Sequence, residues 1–241
     1  MPLSGRVFLI AGATSGIGLA SSREIIRRGG YVFGIGRRSA HPLEDVESYQ
    51  KVVMDLEDSE SFEELRRLLS QNSSISDIIC AVGRGVGAIG DFEQLSMETI
   101  ESSLNVNLVA PLRFMRATLP HLRRAEGGDV FVLGSEASLR GAKRGSIYAS
   151  AKFALRGLVQ SLRAEYARFG VRVVGVYPGM TRTEFFDLLD FEPGDDDAHA
   201  ILPEDIALLI ADVAASADRL VVDELILSPR QHVIKSKRRK K

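Results

Sequence analysis

Short, nearly continuous apolar runs alternate along this chain with longer stretches whose apolar positions recur every three or four residues. The runs predict strands over 6–11, 31–35, 51–54, 77–82, 129–133, 171–177 and 224–227. The longer stretches predict helices over 16–28, 59–69, 96–124, 147–168 and 203–215, with Pro111 and Pro120 marking kinks or stops in the third. Strands that alternate with helices of this length point to βαβ units, and so to a parallel sheet in an α/β domain. Runs such as DIICAV, with hardly a polar position, suit strands covered on both faces. In a doubly wound sheet, ligands bind beyond the carboxyl ends of the strands. The segment 183–202, containing Glu192-Pro-Gly-Asp-Asp-Asp197, has the weakest pattern. It reads either as a lid over a site or as a plain surface loop.

Composition narrows the chemistry. A chain of 241 residues with 45% hydrophobic and 26% charged positions fits one soluble domain. Cys80 is the single cysteine, which excludes an internal disulfide and a cysteine-based zinc cluster. The four histidines, His41, His121, His199 and His232, are scattered, so no metal site is expected and the reaction rests on other groups or an organic cofactor. The start MPLSGR lacks the layout of a signal peptide, and no apolar run is long enough to span a bilayer. Both point to a soluble, cytoplasmic protein. Six of the last seven residues are Lys or Arg, which leaves −7 on the remaining chain against −1 for the whole. Residues 1–230 therefore read as the folded domain and 231–241 as a basic, disordered tail. Contact of that tail with an anionic partner, or docking on the protein's own acidic surface, are the alternatives. An acidic body carries no large nucleic-acid footprint.

Candidate chemistry begins after the first strand, in Ala11-Gly12-Ala13-Thr14-Ser15-Gly16-Ile17-Gly18. Glycines allow a tight turn and a close backbone approach, and the helix that follows offers unpaired N–H groups to phosphates. The second strand ends in Gly34-Ile35-Gly36-Arg37-Arg38. A carboxylate for a ribose 2′-hydroxyl is missing there, and two guanidiniums suit a 2′-phosphate. NADP(H) is the expected cofactor. Tyr148 and Lys152 lie four apart at the start of the fourth predicted helix, on one face. An ammonium there would hold the phenol below its free pKa of about 10. Ser135 follows the fifth strand, where active-site groups gather, and Asn107 lies in the helix before it.

Taken in order and with their spacing, these segments resemble the short-chain dehydrogenase/reductase family over nearly the whole chain. The matching positions are AGATSGIG at 11–18, Asp55, Asn107 in NVNL, Ser135 in LGSEAS, YASAK at 148–152, and YPGMTRT at 177–183. The resemblance implies a single-domain, Rossmann-type doubly wound parallel sheet with helices on both faces. It implies hydride transfer between NADP(H) and a small carbonyl or secondary alcohol. Tyr148 would be the acid and base, Ser135 would stabilise charge on the reacting oxygen, Lys152 would tune Tyr148 and hold the ribose, and Asn107 would order a proton-relay water. Gly12, Thr14, Ser15, Gly16, Ile17, Gly18, Arg37, Arg38, Asp55, Leu56, Val82, Gly83, Tyr148, Lys152, Pro178, Gly179, Thr181 and Thr183 would line the cofactor. A homodimer or homotetramer is implied too, with Phe114, Leu155, Leu158 and Leu162 either at the subunit contact or against the sheet. The chain departs from the family pattern at Ala11 and at Cys80-Ala81-Val82-Gly83. Both polar partners of one family hydrogen bond are lost together, which is nearly neutral. Arg84, Arg140, Lys143 and Arg144 either favour an acidic substrate or are solvated charges. A non-enzymatic NADP(H)-binding sensor or scaffold is the alternative function, and it would not need Tyr148, Lys152 or Ser135.

Overall fold

The computed structural model describes residues 1–39, 41–84, 89–187 and 189–237. Its strands are β1 (Val7–Ala11), β2 (Tyr31–Gly36), β3 (Tyr49–Val53), β4 (Asp77–Cys80), β5 (Gly128–Leu133), β6 (Val171–Pro178), β7 (Phe191–Pro193), β8 (Glu224–Leu227) and β9 (Ile234–Ser236). Its helices are α1 (Gly16–Arg27), α2 (Ser61–Gln71), α3 (Met97–Leu104), α4 (Ala110–Arg124), α5 (Ser146–Tyr166) and α6 (Pro203–Ala214). Seven strands form one sheet in the order β3-β2-β1-β4-β5-β6-β8, and every pair in it is parallel. No described helix is long and apolar enough to cross a membrane.

The period of two along each strand divides the core. Leu9 and Ala11 of β1, Phe33 and Ile35 of β2, and Val130 and Val132 of β5 point to one face. They pack there with Leu65 of α2, Phe114 of α4, and Leu155 and Leu162 of α5. Phe8, Ile10, Val32, Phe131 and Leu133 point to the other face, against Ile25 of α1 and Ile206 and Ile210 of α6. Helices cover both sides, which is why the inner strands are almost wholly apolar, whereas the edge strand β3 carries the exposed Gln50 and Lys51. Phe114, Leu155 and Leu162 are thus spent on the sheet, not on a subunit contact. On the outer faces of α4 and α5, Leu112 and Phe153 are exposed instead.

The chain reverses its direction of travel across the sheet between β1 and β4, which opens the ligand cleft at their carboxyl ends. At the opposite edge, Arg6 binds the buried carboxylates of Asp77 and Asp129, and Arg172 binds Asp129 at 2.6 Å. This network ties the amino ends of β1, β4, β5 and β6 together.

Three expectations change. The stretch expected as one helix over 96–124 is interrupted by a wider turn over Asn105–Val109, where hydrogen bonds skip an extra residue. Pro111 starts α4, but Pro120 lies inside it without stopping it. The strand expected over 77–82 ends at Cys80, which releases Ala81 to Arg84 toward the cleft. The tail is the largest change. Ile234–Ser236 is strand β9, paired antiparallel with β7. Lys235 binds Glu192 and Asp195, and Lys237 binds Glu192. The first tail cations dock on the acidic stretch around Glu192, and charge complementarity orders them. Residues 238–241 lie outside the described residues.

Candidate active site

The glycine turn is built by close approach. Gly12 has φ +81°, and a Cβ on it would lie 2.6 Å from the Ala81 carbonyl oxygen. A Cβ on Gly18 would lie 2.3 Å from the Gly12 carbonyl oxygen, so only hydrogen fits. The Ser15 side chain does not cap α1, and the first turn of α1 has no acid. The leading N–H groups of Gly16, Ile17 and Gly18 therefore have neither a capping oxygen nor a competing carboxylate, which fits the pyrophosphate of a dinucleotide. Thr14 packs its methyl against Gly36, where β2 ends. Ala11 and Cys80 are both fully buried and apolar, and Ala81 N–H bonds the Ala11 carbonyl at 2.9 Å. The departure from the family pattern leaves no polar group stranded there.

Arg37 and Arg38 stand just beyond β2, both exposed. Arg37 reaches Glu57 at 3.3 Å and Arg38 reaches Glu184 at 3.4 Å. Glu57 is the residue the sequence reading missed. It lies after β3, yet its carboxylate comes to the end of β2 and also faces Arg84 at 3.9 Å. Asp55 accepts the Glu57 N–H at 3.0 Å, which shapes this turn. Leu56 turns its side chain into the core, so it offers the cleft only backbone.

Ser135 sits two residues beyond β5. Its hydroxyl oxygen accepts the Ala137 N–H at 3.2 Å, and its own N–H donates to Ser138 Oγ at 3.2 Å. These bonds fix the turn and leave the Ser135 hydroxyl hydrogen to face the Tyr148 oxygen. Tyr148 and Lys152 occupy the first two turns of α5, with the Lys152 ammonium 5.6 Å from the centre of the Tyr148 ring. Lys152 is buried and bonds the Leu133 carbonyl at 3.4 Å. Asn107 is fully buried in the wide turn of Asn105–Val109. Its amide donates to the Arg84 carbonyl at 2.8 Å and its oxygen accepts the Arg84 N–H at 3.0 Å. A Cβ on Gly83 would lie 3.2 Å from Lys152 Nζ and 3.3 Å from Asn107 Oδ1, so these three residues meet. Val82 borders them on the same released segment.

Burial sets the electrostatics. Desolvation pulls the Lys152 ammonium down to about 8. Desolvation pushes the Tyr148 phenol up to about 12, Ser135 opposes the rise, and the Glu136 charge adds to it. The expectation that Lys152 holds Tyr148 below its free value is therefore reversed in this chain alone. The ammonium lies over the ring, not at the hydroxyl, and desolvation wins. The Tyr148 phenol therefore keeps its proton at neutral pH.

Pro178 ends β6, and the Gly179 N–H bonds the Leu227 carbonyl at 2.7 Å. Thr181 turns its hydroxyl to the Gly179 carbonyl at 3.0 Å. Thr183 caps the short turn Glu184–Phe186, and its methyl would meet a Cβ on Gly16 at 3.3 Å. The start of the 183–202 segment thus touches the glycine turn. Phe185 follows, with its ring 5.7 Å from that of Tyr148.

Residues 6–190 match the family model for short chain dehydrogenases. The chain belongs to the short-chain dehydrogenase family. Sepiapterin reductase of Chlorobaculum tepidum is 29% identical over 236 residues, covering 92% of this chain and 96% of that protein. An alcohol dehydrogenase from Thermococcus sibiricus, solved with 5-hydroxy-NADP, is 28% identical with a TM-score of 0.82, covering 94% of this chain and 97% of the other. A serine dehydrogenase in complex with NADP+ shares the fold at 24% identity and a TM-score of 0.81, covering 91% of this chain and 93% of the other.

For this member of the short-chain dehydrogenases, the geometry gathers most of the residues expected at the site and leaves three of the four candidate substrate cations, Arg84, Arg140 and Arg144, committed elsewhere. Arg84 reaches Ser102 and Glu57, Arg140 binds Glu136 at 2.6 Å, and Arg144 faces Asp91 and Asp190 at 3.6 and 3.7 Å. Their charges are already met by protein acids, so an acidic substrate has no support from them.

Proposed function

We propose that this chain is an NADP(H)-dependent oxidoreductase that moves a hydride between the cofactor and a small carbonyl or secondary alcohol, with Tyr148 as acid and base. The observation that carries this reading is the convergence of Tyr148, Lys152, Ser135 and Asn107 at the carboxyl end of the sheet, beside a turn shaped for pyrophosphate. Arg37 and Arg38, at the end of β2, support the phosphorylated cofactor, as do the relatives solved with NADP-type ligands.

The nicotinamide, when bound, supplies or receives the hydride. Gly12 to Gly18 hold the phosphates through backbone N–H groups, Arg37 and Arg38 the 2′-phosphate, and Asp55 the adenine side. Ser135 donates its hydroxyl hydrogen to the carbonyl oxygen and stabilises the charge that grows there. Tyr148, protonated at neutral pH, gives its proton to the same oxygen, and the product is the alcohol. Lys152, its ammonium drawn down to about 8, returns a proton toward Tyr148 through an intervening water and regains one from solvent. Asn107 anchors Arg84 and keeps the released segment beside Lys152. Thr181, Thr183, Pro178 and Gly179 form the wall on the nicotinamide side. The assembly expected is a homodimer or homotetramer through the outer faces of α4 and α5.

The test is NADPH consumption against a panel of aldehydes, ketones and diketones. Turnover of at least one class is expected. Tight NADPH binding without turnover of any of them would replace this reading with a cofactor-binding sensor.

A further inference from the structure

We propose that β9 is a strap that holds residues 184–187 and 189–199 as a lid over Tyr148, with Lys235 and Lys237 as positioning residues. This rests on the reading of Tyr148 given above. The lid has little core of its own. Met180, Phe186 and Leu189 form a small apolar cluster with Ile89, Phe185 and Phe191 packed against it. That cluster is separate from the two main cores. A segment with so few buried contacts opens easily unless something else holds it.

The C-terminal residues supply what holds it. The Gln231 N–H donates to the Ala198 carbonyl at 2.8 Å, Gly194 N–H to Val233 at 3.0 Å, and Lys237 N–H to Asp190 at 2.8 Å. Lys235 sits between Glu192, at 3.1 Å, and Asp195. Lys237 reaches Glu192 at 3.3 Å and the Phe186 carbonyl at 2.5 Å. That carbonyl belongs to the residue after Phe185, whose ring meets Tyr148. On the opposite wall, His232 meets Glu136 at 3.3 Å, next to Ser135. The strap therefore touches both sides of the substrate cleft. A two-stranded ribbon this short is not stable by its backbone bonds alone. Each exposed ion pair is weak and screened by salt. Two cations shared among Glu192, Asp195 and a carbonyl act together with Arg182, whose guanidinium reaches the Gly194 and Asp196 carbonyls at 3.3 Å, on a lid that has little core of its own.

The test uses the full chain and the double variant Lys235→Glu with Lys237→Glu. Amide exchange at 190–194 should speed up about tenfold or more, as expected when a segment is released to local opening. KM for a carbonyl substrate should rise about threefold or more, a size suited to two lost surface pairs, while NADPH affinity and melting temperature stay unchanged. Adding Glu192→Lys and Asp195→Lys to the double variant should restore both readouts. A chain ending at Val233 should reproduce the double variant. Unchanged exchange at 190–194 in both variants would overturn the strap. Faster exchange with an unchanged KM would overturn the positioning role. If the hydride-transfer reading fails instead, no carbonyl is turned over by the wild type, yet the exchange difference remains.

Discussion

Replacing Lys152 with methionine separates the cost of burying a charge from its use. The ammonium is buried, its one acceptor among the described residues is the Leu133 carbonyl at 3.4 Å, and its pKa falls to about 8 from 10.5. A lowered lysine pKa means the unfolded chain takes up the proton first. The penalty on folding is therefore fully present below the folded pKa and fades as pH rises from about 8 through 10.5. At 1.36 kcal/mol per pKa unit, the shift amounts to about 3 kcal/mol at pH 7 and less than half of that at pH 9.5. Methionine keeps the aliphatic stem and removes the charge. Without cofactor, Lys152→Met should stabilise the protein by about 2–3 kcal/mol at pH 7, after the weak bond to Leu133 is lost. For a domain of this size that raises the melting temperature by about 4–12 °C. Turnover and NADPH affinity should both fall, because the proposed reaction uses the ammonium at both the phenol and the ribose. The assay is thermal and urea unfolding of both proteins at pH 7 and pH 9.5. A destabilised variant at pH 7, or a stabilisation equal at both pH values, would refute this account of Lys152.

NADPH should bind more tightly than NADH, Arg37→Asp should erode that preference, and Glu57→Gln should widen it by releasing Arg37; fluorescence titration of both cofactors checks all three. Asp77→Asn removes one of the two carboxylates on Arg6 at the amino edge of the sheet and leaves Asp129 as its charged partner. It should cost about 3 kcal/mol in urea unfolding, the low end for breaking a buried pair because Arg6 keeps Asp129 and some solvent. Light scattering should report a dimer or tetramer for the wild type and smaller species for Leu112→Asp with Phe153→Asp, whose side chains lie exposed on α4 and α5. A wild-type monomer at micromolar concentration would contradict the proposed assembly.

The parts of the site legible in the sequence are those set by local spacing. Gly12 to Gly18 follow a strand and open a helix, and Tyr148 and Lys152 share a helix face whatever surrounds them. What stayed hidden depends on contacts between distant segments. Glu57 meets Arg37 only because β2 and β3 pair in parallel with their ends aligned. The wide turn around Asn107 was invisible because NVNLV has ordinary helical spacing. Strand β9 was hidden because a run of cations reads as solvated until acids such as Glu192 and Asp195 face it. The direction of the Tyr148 shift was misjudged for the same reason, since sequence spacing gives the lysine's nearness but not the burial under Phe185 and beside Glu136.

The most direct test of the central claim is Tyr148→Phe, which removes only the phenolic oxygen. The ring contact with Phe185 and the packing of α5 remain, so NADPH should bind as it does to the wild type. A positioned general acid contributes about 10²–10⁴-fold, and kcat for carbonyl reduction should fall by at least that order. Near-normal turnover of a true substrate by Tyr148→Phe would contradict the assignment.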